Sequence, residues 1–128
     1  MKQETMVRFS LQATNGSEIS FTTDGEIEQF DDHKRLTFTE QTEILLKTTV
    51  DIYLDKVVLH RNGKIKMYMC FVLECETEVE METDFDFQVK MLCKTLNMEI
   101  SDNNIAIIYQ TELDKESQVV HKLTLAWD

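Results

Sequence analysis

Residues Lys64 to Glu82 read KIKMYMCFVLECETEVEME, and their apolar and polar side chains alternate with a period of two. Ile65, Met67, Met69, Phe71, Leu73, Cys75, Thr77, Val79 and Met81 share one parity, while Glu74, Glu76, Glu78, Glu80 and Glu82 take the other. Successive side chains of a strand point to opposite faces, so the pattern predicts a strand with one face toward a core and one toward water. The run is nineteen residues long, against roughly five or six for an average strand. As one strand it must bend, as the strands of a closed barrel do.

The same reading extends in both directions. Val57 to Arg61, then Asn62-Gly63, then Lys64 onward matches two strands joined by a two-residue type I′ turn. Pairing Arg61 with Lys64 sets His60 opposite Ile65 and Val58 opposite Met67, which places His60 on the apolar face and Arg61 on the outer one. Toward the N-terminus, strands are predicted at Met6 to Ala13, from Ile19 through Phe21 and Thr23 to Phe30 with a bulge or bend at Gly25, and at Lys34 to Gln41. Thr42 to Leu54 is predicted to turn Leu46, Thr48, Val50 and Ile52 inward, and the β-branched Thr48-Thr49-Val50 disfavours a helix there. Toward the C-terminus, strands are predicted at Phe87 to Met98, Ile105 to Glu112 and Val119 to Trp127. Every clear connection is short, as antiparallel hairpins require and parallel crossovers forbid. The expected architecture is all-β: a single-domain antiparallel closed barrel of about eight to ten strands spanning 1–128, closed because closure removes exposed edges.

The composition limits the partners. Thirteen Lys and Arg against 24 Asp and Glu give a net charge of −11, which repels phosphate backbones and anionic lipid surfaces, so neither nucleic acid nor membrane is expected as a partner. No window approaches the roughly 18 apolar residues of a membrane span, and Met1-Lys2-Gln3-Glu4-Thr5 begins no apolar leader. Three cysteines, an odd number, with Cys70 and Cys75 of opposite strand parity, argue against a structural disulfide and for a reducing cytoplasm.

No catalytic motif stands out. Three histidines and three cysteines occur without C-x-x-C, H-x-x-x-H or H-E-x-x-H spacing, and three glycines could scarcely build a phosphate or dinucleotide loop. Neither a metal nor a cofactor is expected. Asp84 and Asp86 around Phe85, like Asp31-Asp32, read as turn residues rather than a calcium loop. The interior candidates are His60, Tyr109 and His121, each either a polar contact in a barrel mouth or a satisfied core residue near a strand end. Met67, Met69 and Trp127 join them, because methionines line adaptable apolar pockets as well as fill cores. The outward Glu74, Glu76, Glu78, Glu80 and Glu82 are either a docking face for a basic protein or a solvated face neutralised by Lys90 and Lys94 on the next strand.

Several short stretches carry a family resemblance: MKQET at residues 1–5, TTDG at Thr22 to Gly25, Val58-x-His60-Arg61-Asn62-Gly63 leading to Phe71-Val72, the Ile105 to Tyr109 strand, and His121-Lys122-Leu123-Thr124-Leu125. Together they resemble the YwiB-like family of small bacterial β-barrel proteins. The resemblance implies a calycin-like, lipocalin-type barrel in a Firmicute intracellular protein of unknown biochemical function, and it brings no catalytic residue with it. The first strand lacks the G-x-W of true lipocalins, so their transport of apolar ligands is not implied. The glutamate ladder is a second departure, and it leaves any outer-face role outside what the family implies.

The resulting expectation is a non-catalytic barrel that binds a small, partly apolar molecule, with Met67, Met69, Tyr109 and Trp127 lining the cavity and His60 and His121 near its mouth. The alternative is an interaction module using the acidic strand.

Overall fold

A computed structural model describes residues 2–41, 46–83, 88–112 and 118–128. Ten strands follow one another: β1 (Lys2–Ala13), β2 (Glu18–Gln29), β3 (Lys34–Thr39), β4 (Lys47–Ile52), β5 (Lys56–Asn62), β6 (Ile65–Val72), β7 (Glu76–Thr83), β8 (Gln88–Ser101), β9 (Asn104–Glu112) and β10 (Gln118–Trp127). Each pairs antiparallel with its neighbours in sequence, and β1 closes the barrel against β10. This is the all-β, antiparallel, closed barrel expected, with a strand count inside the expected range. Asp84 and Asp86 lie outside the described residues.

The long run that decided the fold is two strands rather than one. The chain reverses at Leu73-Glu74-Cys75, where the Cys75 amide donates to the Val72 carbonyl at 3.0 Å and Glu74 takes a φ of 62°. Ile65 pairs with Thr83 and Met67 with Met81, odd residue with odd residue. An odd-numbered connection therefore carries the inward parity through the reversal unbroken, and periodicity alone cannot show the turn. A glutamate holds the left-handed conformation that glycine or asparagine would announce.

The neighbouring hairpin also differs from its sequence reading. Arg61 pairs with Met67, His60 with Tyr68 and Leu59 with Met69, and neither Asn62 nor Gly63 has the positive φ that a type I′ turn needs. The expected register would have turned Val57 and Leu59 outward; both are fully buried. Burying two large apolar side chains, at roughly 1.5–3 kcal/mol each, outweighs a turn preference. The shift is an odd number of residues, so every face is exchanged: His60 points out and Arg61 points in.

Two further details differ. β1 begins at Lys2, because Lys2 to Met6 pairs with Asp24 to Glu28 beyond the end of β10. Gly25 marks a close approach rather than a bulge: a Cβ there would lie 2.7 Å from Val7 Cγ2 and 2.8 Å from the Thr37 carbonyl oxygen. The register shift sits instead in β8, between Thr95 and Asn97.

The wall has two unlike ends. At the end holding both termini, Thr5 Oγ1 bonds the backbone of Asp128 and Arg8 Nη1 meets the Asp128 carboxylate at 2.8 Å. The interior near that end is apolar and buried, with Val7, Ile52, Val57, Phe71, Ile105, Leu125 and Trp127. On its outside, His33 stacks between Phe30 and Tyr53 at 4.7 and 4.6 Å. At the opposite end the inward side chains include Glu40, Thr48, Arg61, Met67, Met81, Met91, Thr111 and His121, several of them only partly buried.

Candidate functional site

Three strands force polar groups inward at this second end. In β5 the buried Val57 and Leu59 fix the parity that also carries Arg61. In β4, Thr48 precedes Val50 and Ile52 on the inner face and pairs with Arg61. Beyond β3, Glu40 continues the inward row of Leu36 and Phe38. The Thr48 hydroxyl donates to Glu40 Oε2 at 2.5 Å, and the Glu40 amide donates to the Leu46 carbonyl at 2.8 Å. Arg61 Nε lies 2.8 Å from the same Oε2, an ion pair whose N–H is not aligned as a hydrogen bond. The pair is well shielded, with side-chain exposures of 15% for Arg61 and 4% for Glu40. Arg61 Nη1 also touches Met67 Sδ at 3.8 Å.

Tyr109 and His121 form the other part of the cluster. The Tyr109 ring packs on Phe71 at 4.8 Å and stacks on His121 at 4.7 Å with planes 15° apart. His121 Nε2 shares a 2.9 Å hydrogen bond with Thr111 Oγ1, while its buried Nδ1 has no partner among the described residues. The Thr95 hydroxyl, opposite Tyr109 in the β8–β9 register, is also buried and without a partner among the described residues. Burial pushes the Tyr109 hydroxyl up to about 12, with the Arg61 charge pulling the other way. Burial, and then the Arg61 charge, lowers the His121 pKa. Burial also pushes the Cys93 thiol up to about 11. At neutral pH Tyr109, His121 and Cys93 are therefore neutral groups able to hydrogen-bond.

A cleft of about 370 Å³ opens at this end, lined by His60, Tyr68, Met67, Met81, Val89 and Lys90 among others. Most of its lining faces outward, Lys66, Glu80, Glu82 and Gln88 included, and Met67 belongs both to it and to the Arg61 contact. A larger depression of about 640 Å³ lies on the outside over Gly25, among charged side chains such as Glu26, Arg35 and Lys47. It has no part in the interior cluster.

With that geometry in place, comparison with known proteins gives a clear result. A family described as a domain of unknown function, DUF1934, matches residues 5–125. The chain belongs to this family. The fold is similar to that in the crystal structure of ywiB protein from Bacillus subtilis, with a TM-score of 0.81 over 98% of this chain and 92% of that one. The two are 18% identical, so the likeness shows the fold. The YwiB-like family of unknown function expected from the sequence is the family found. Comparison with curated proteins gives no match.

In this DUF1934 barrel the sequence-predicted residues separate into three groups. Met69, Tyr109 and Trp127 are buried in the packed core, Trp127 near the termini and far along β10 from His121. Met67 is half-buried against Arg61, and His121 is half-buried against Tyr109 and Thr111. His60 is exposed on the outer face, where its ring faces Tyr68 at 6.5 Å, and it reaches the cleft only from outside. Arg61, Glu40 and Thr48 were not foreseen as site residues; the signal that could have found them is the apolar pair Val57 and Leu59, whose parity Arg61 shares. Glu76, Glu78, Glu80 and Glu82 do form an outward row on β7, while Glu74 lies in the turn. Lys94 stands opposite Glu76, Lys90 opposite Glu80 and Lys66 opposite Glu82.

Among the described residues no helix is long and apolar enough to cross a membrane, and no group of three or more His, Cys, Asp or Glu side chains could hold a metal ion.

Proposed function

We propose that the DUF1934 barrel binds a small, partly apolar molecule at its Arg61 end, as a non-catalytic cytoplasmic binding protein. The observation that carries this reading is the pair of buried polar atoms without partners among the described residues there, Thr95 Oγ1 and His121 Nδ1, in the half of the barrel where Met67 and Met81 join the lining of a cleft. Buried polar atoms are normally satisfied, and a bound molecule would supply the missing partners. The raised pKa values of Tyr109 and Cys93 keep both protonated near neutrality, which suits fixed donors better than groups that exchange protons during a reaction. The acidic outer row is the weaker basis for a role, since three lysines already face it across the sheet.

Native mass spectrometry of protein purified gently from its host tests this. A co-purifying molecule of low mass, absent from a folded Met67→Trp variant, is the expected result. A bare chain, together with small-molecule binding unaltered by Met67→Trp, defeats it. A basic protein retained in place of a small molecule, and released by salt, would move the function to the glutamate row.

A further inference from the structure

We infer that the uncovered edge of β8, Leu96 to Ser101, receives an extended segment of a partner protein, one that alternates apolar and basic side chains and joins the barrel wall as an added strand.

The β8–β9 hairpin outruns its neighbour. β7 starts at Glu76, opposite Lys94. The turn before it gives β8 two last backbone bonds, from the Glu74 amide to the Thr95 carbonyl at 3.0 Å and from the Thr95 amide to the Cys75 carbonyl at 3.3 Å. From Leu96 to Ser101, β8 is paired with β9 alone among the described residues. The bulge lies at the foot of this edge, and beyond it Asn97 to Ser101 keep a regular register with Ile108 to Asn104. The Met98 amide donates to the Asn97 side-chain oxygen at 3.0 Å, which sets it on the side away from β9. Ile100, two residues on, turns its amide to the same side. Such a row of free backbone groups is a template for another strand.

Natural edges are often blunted by lysine or proline, and this one, LNMEIS, has neither. Its inward Met98 and Ile100 are only partly buried against the core, and Leu73 and Leu96 beside it are 44% and 41% exposed. An added strand would run on from the line of β7, with its inner side chains covering Met98, Ile100 and Leu73. By contrast Lys2 to Glu4, which extends beyond β10 at the same end, is polar on both faces.

Charge selects the guest. Glu74, Glu99 and Asp102 stand at the foot, middle and tip of the edge, and none of their carboxylates has an ion-pair partner among the described residues. Lys34 reaches the Asp102 carbonyl instead. Basic side chains on the outer face of the guest would meet these carboxylates across the new ladder. A second copy would crowd two such sets of carboxylates together, on chains that each carry −11.

Two seven-residue probe peptides test this, one alternating Lys and Val and the other Glu and Val, titrated into the full chain at physiological salt. The Lys-Val peptide is expected to bind at one per chain, at least tenfold more tightly than the Glu-Val peptide, and to slow hydrogen exchange of the Ile100 amide. Ile100→Pro removes that donor where an edge strand tolerates proline, and should abolish binding. Glu99→Lys, on the exposed outer face, is a second variant that keeps the backbone intact and should weaken Lys-Val binding severalfold. Glu78→Lys, in the outward row of β7, should leave it unchanged. No binding, equal binding of the two peptides, binding without slowed exchange at Ile100, or an equal loss in Glu78→Lys overturns the inference. Dimers of the free chain that Ile100→Pro dissolves would also overturn it, by giving the edge to a second copy.

Discussion

The two ends of this barrel are built from the same alternating strands but filled differently. Near the termini the inward positions are Val57, Phe71, Ile105, Leu125 and Trp127, packed against one another and shut from solvent. At the other end the same inward rows carry Glu40, Thr48, Arg61, Thr111 and His121 among methionines. One end supplies the folding energy and the other holds polar groups that no folding argument requires. The difference teaches where to look for function: where a closed wall is already stable, inward polar atoms left unpaired are the anomaly.

The largest test of this contrast is a pair of truncations. Phe71→Ala, at a fully buried site, is expected to lower stability by about 3–5 kcal/mol, and Met81→Ala, half-buried at the cleft, by about 1 kcal/mol or less. Urea unfolding of both variants measures this; similar losses would mean the two ends are equally packed. Next, Arg61→Met alone should cost about 3 kcal/mol by leaving Glu40 buried without its counter-ion, while adding Glu40→Gln should recover most of that loss. A double variant no more stable than the single one would deny that the pair acts as a unit.

A third test uses pH. The folded-state pKa of Tyr109 lies at about 12, above the ordinary phenol near 10, so folded protein holds this proton more tightly than unfolded chain. The resulting stabilisation is complete below about pH 10 and is lost as pH rises through the folded value, with a total of about 2–3 kcal/mol. Cys93, raised to about 11, adds a loss in an overlapping range. Melting temperatures of the native chain and Tyr109→Phe between pH 9 and 12 should therefore diverge less as pH rises; parallel curves would remove Tyr109 from the account. The smallest effect belongs to the turn at the termini end. Replacing Glu74, at φ 62°, by glycine should raise stability by about 0.5–1 kcal/mol, read as a small increase in melting temperature.

Faces were legible in the sequence and registers were not. Thr48, Val50 and Ile52 inward, Tyr109 on the row of Ile105 and Ile107, and the glutamates outward all follow from a period of two. Two connections escaped that logic. At Leu73 to Cys75 an odd-numbered loop leaves parity intact, so the chain turns with no break in its pattern. At Asn62-Gly63 a strong turn preference pointed to one register, and the burial of Val57 and Leu59 enforced another. That second difference also concealed the site, because a register changed by an odd number exchanges His60 for Arg61 on the inner face.

The seam of the barrel carries a consequence for how the chain assembles. Nine of the ten wall contacts join strands adjacent in sequence, and the tenth pairs β1 with β10, bringing Arg8 to Asp128 across 120 positions. Nine hairpins can nucleate locally in microseconds, but the last pairing must wait for the whole meander to curl. Until it does, β1 and β10 present open edges that any other copy could pair with. Seam closure is thus the slow step of folding, and the interval before it is when self-association competes.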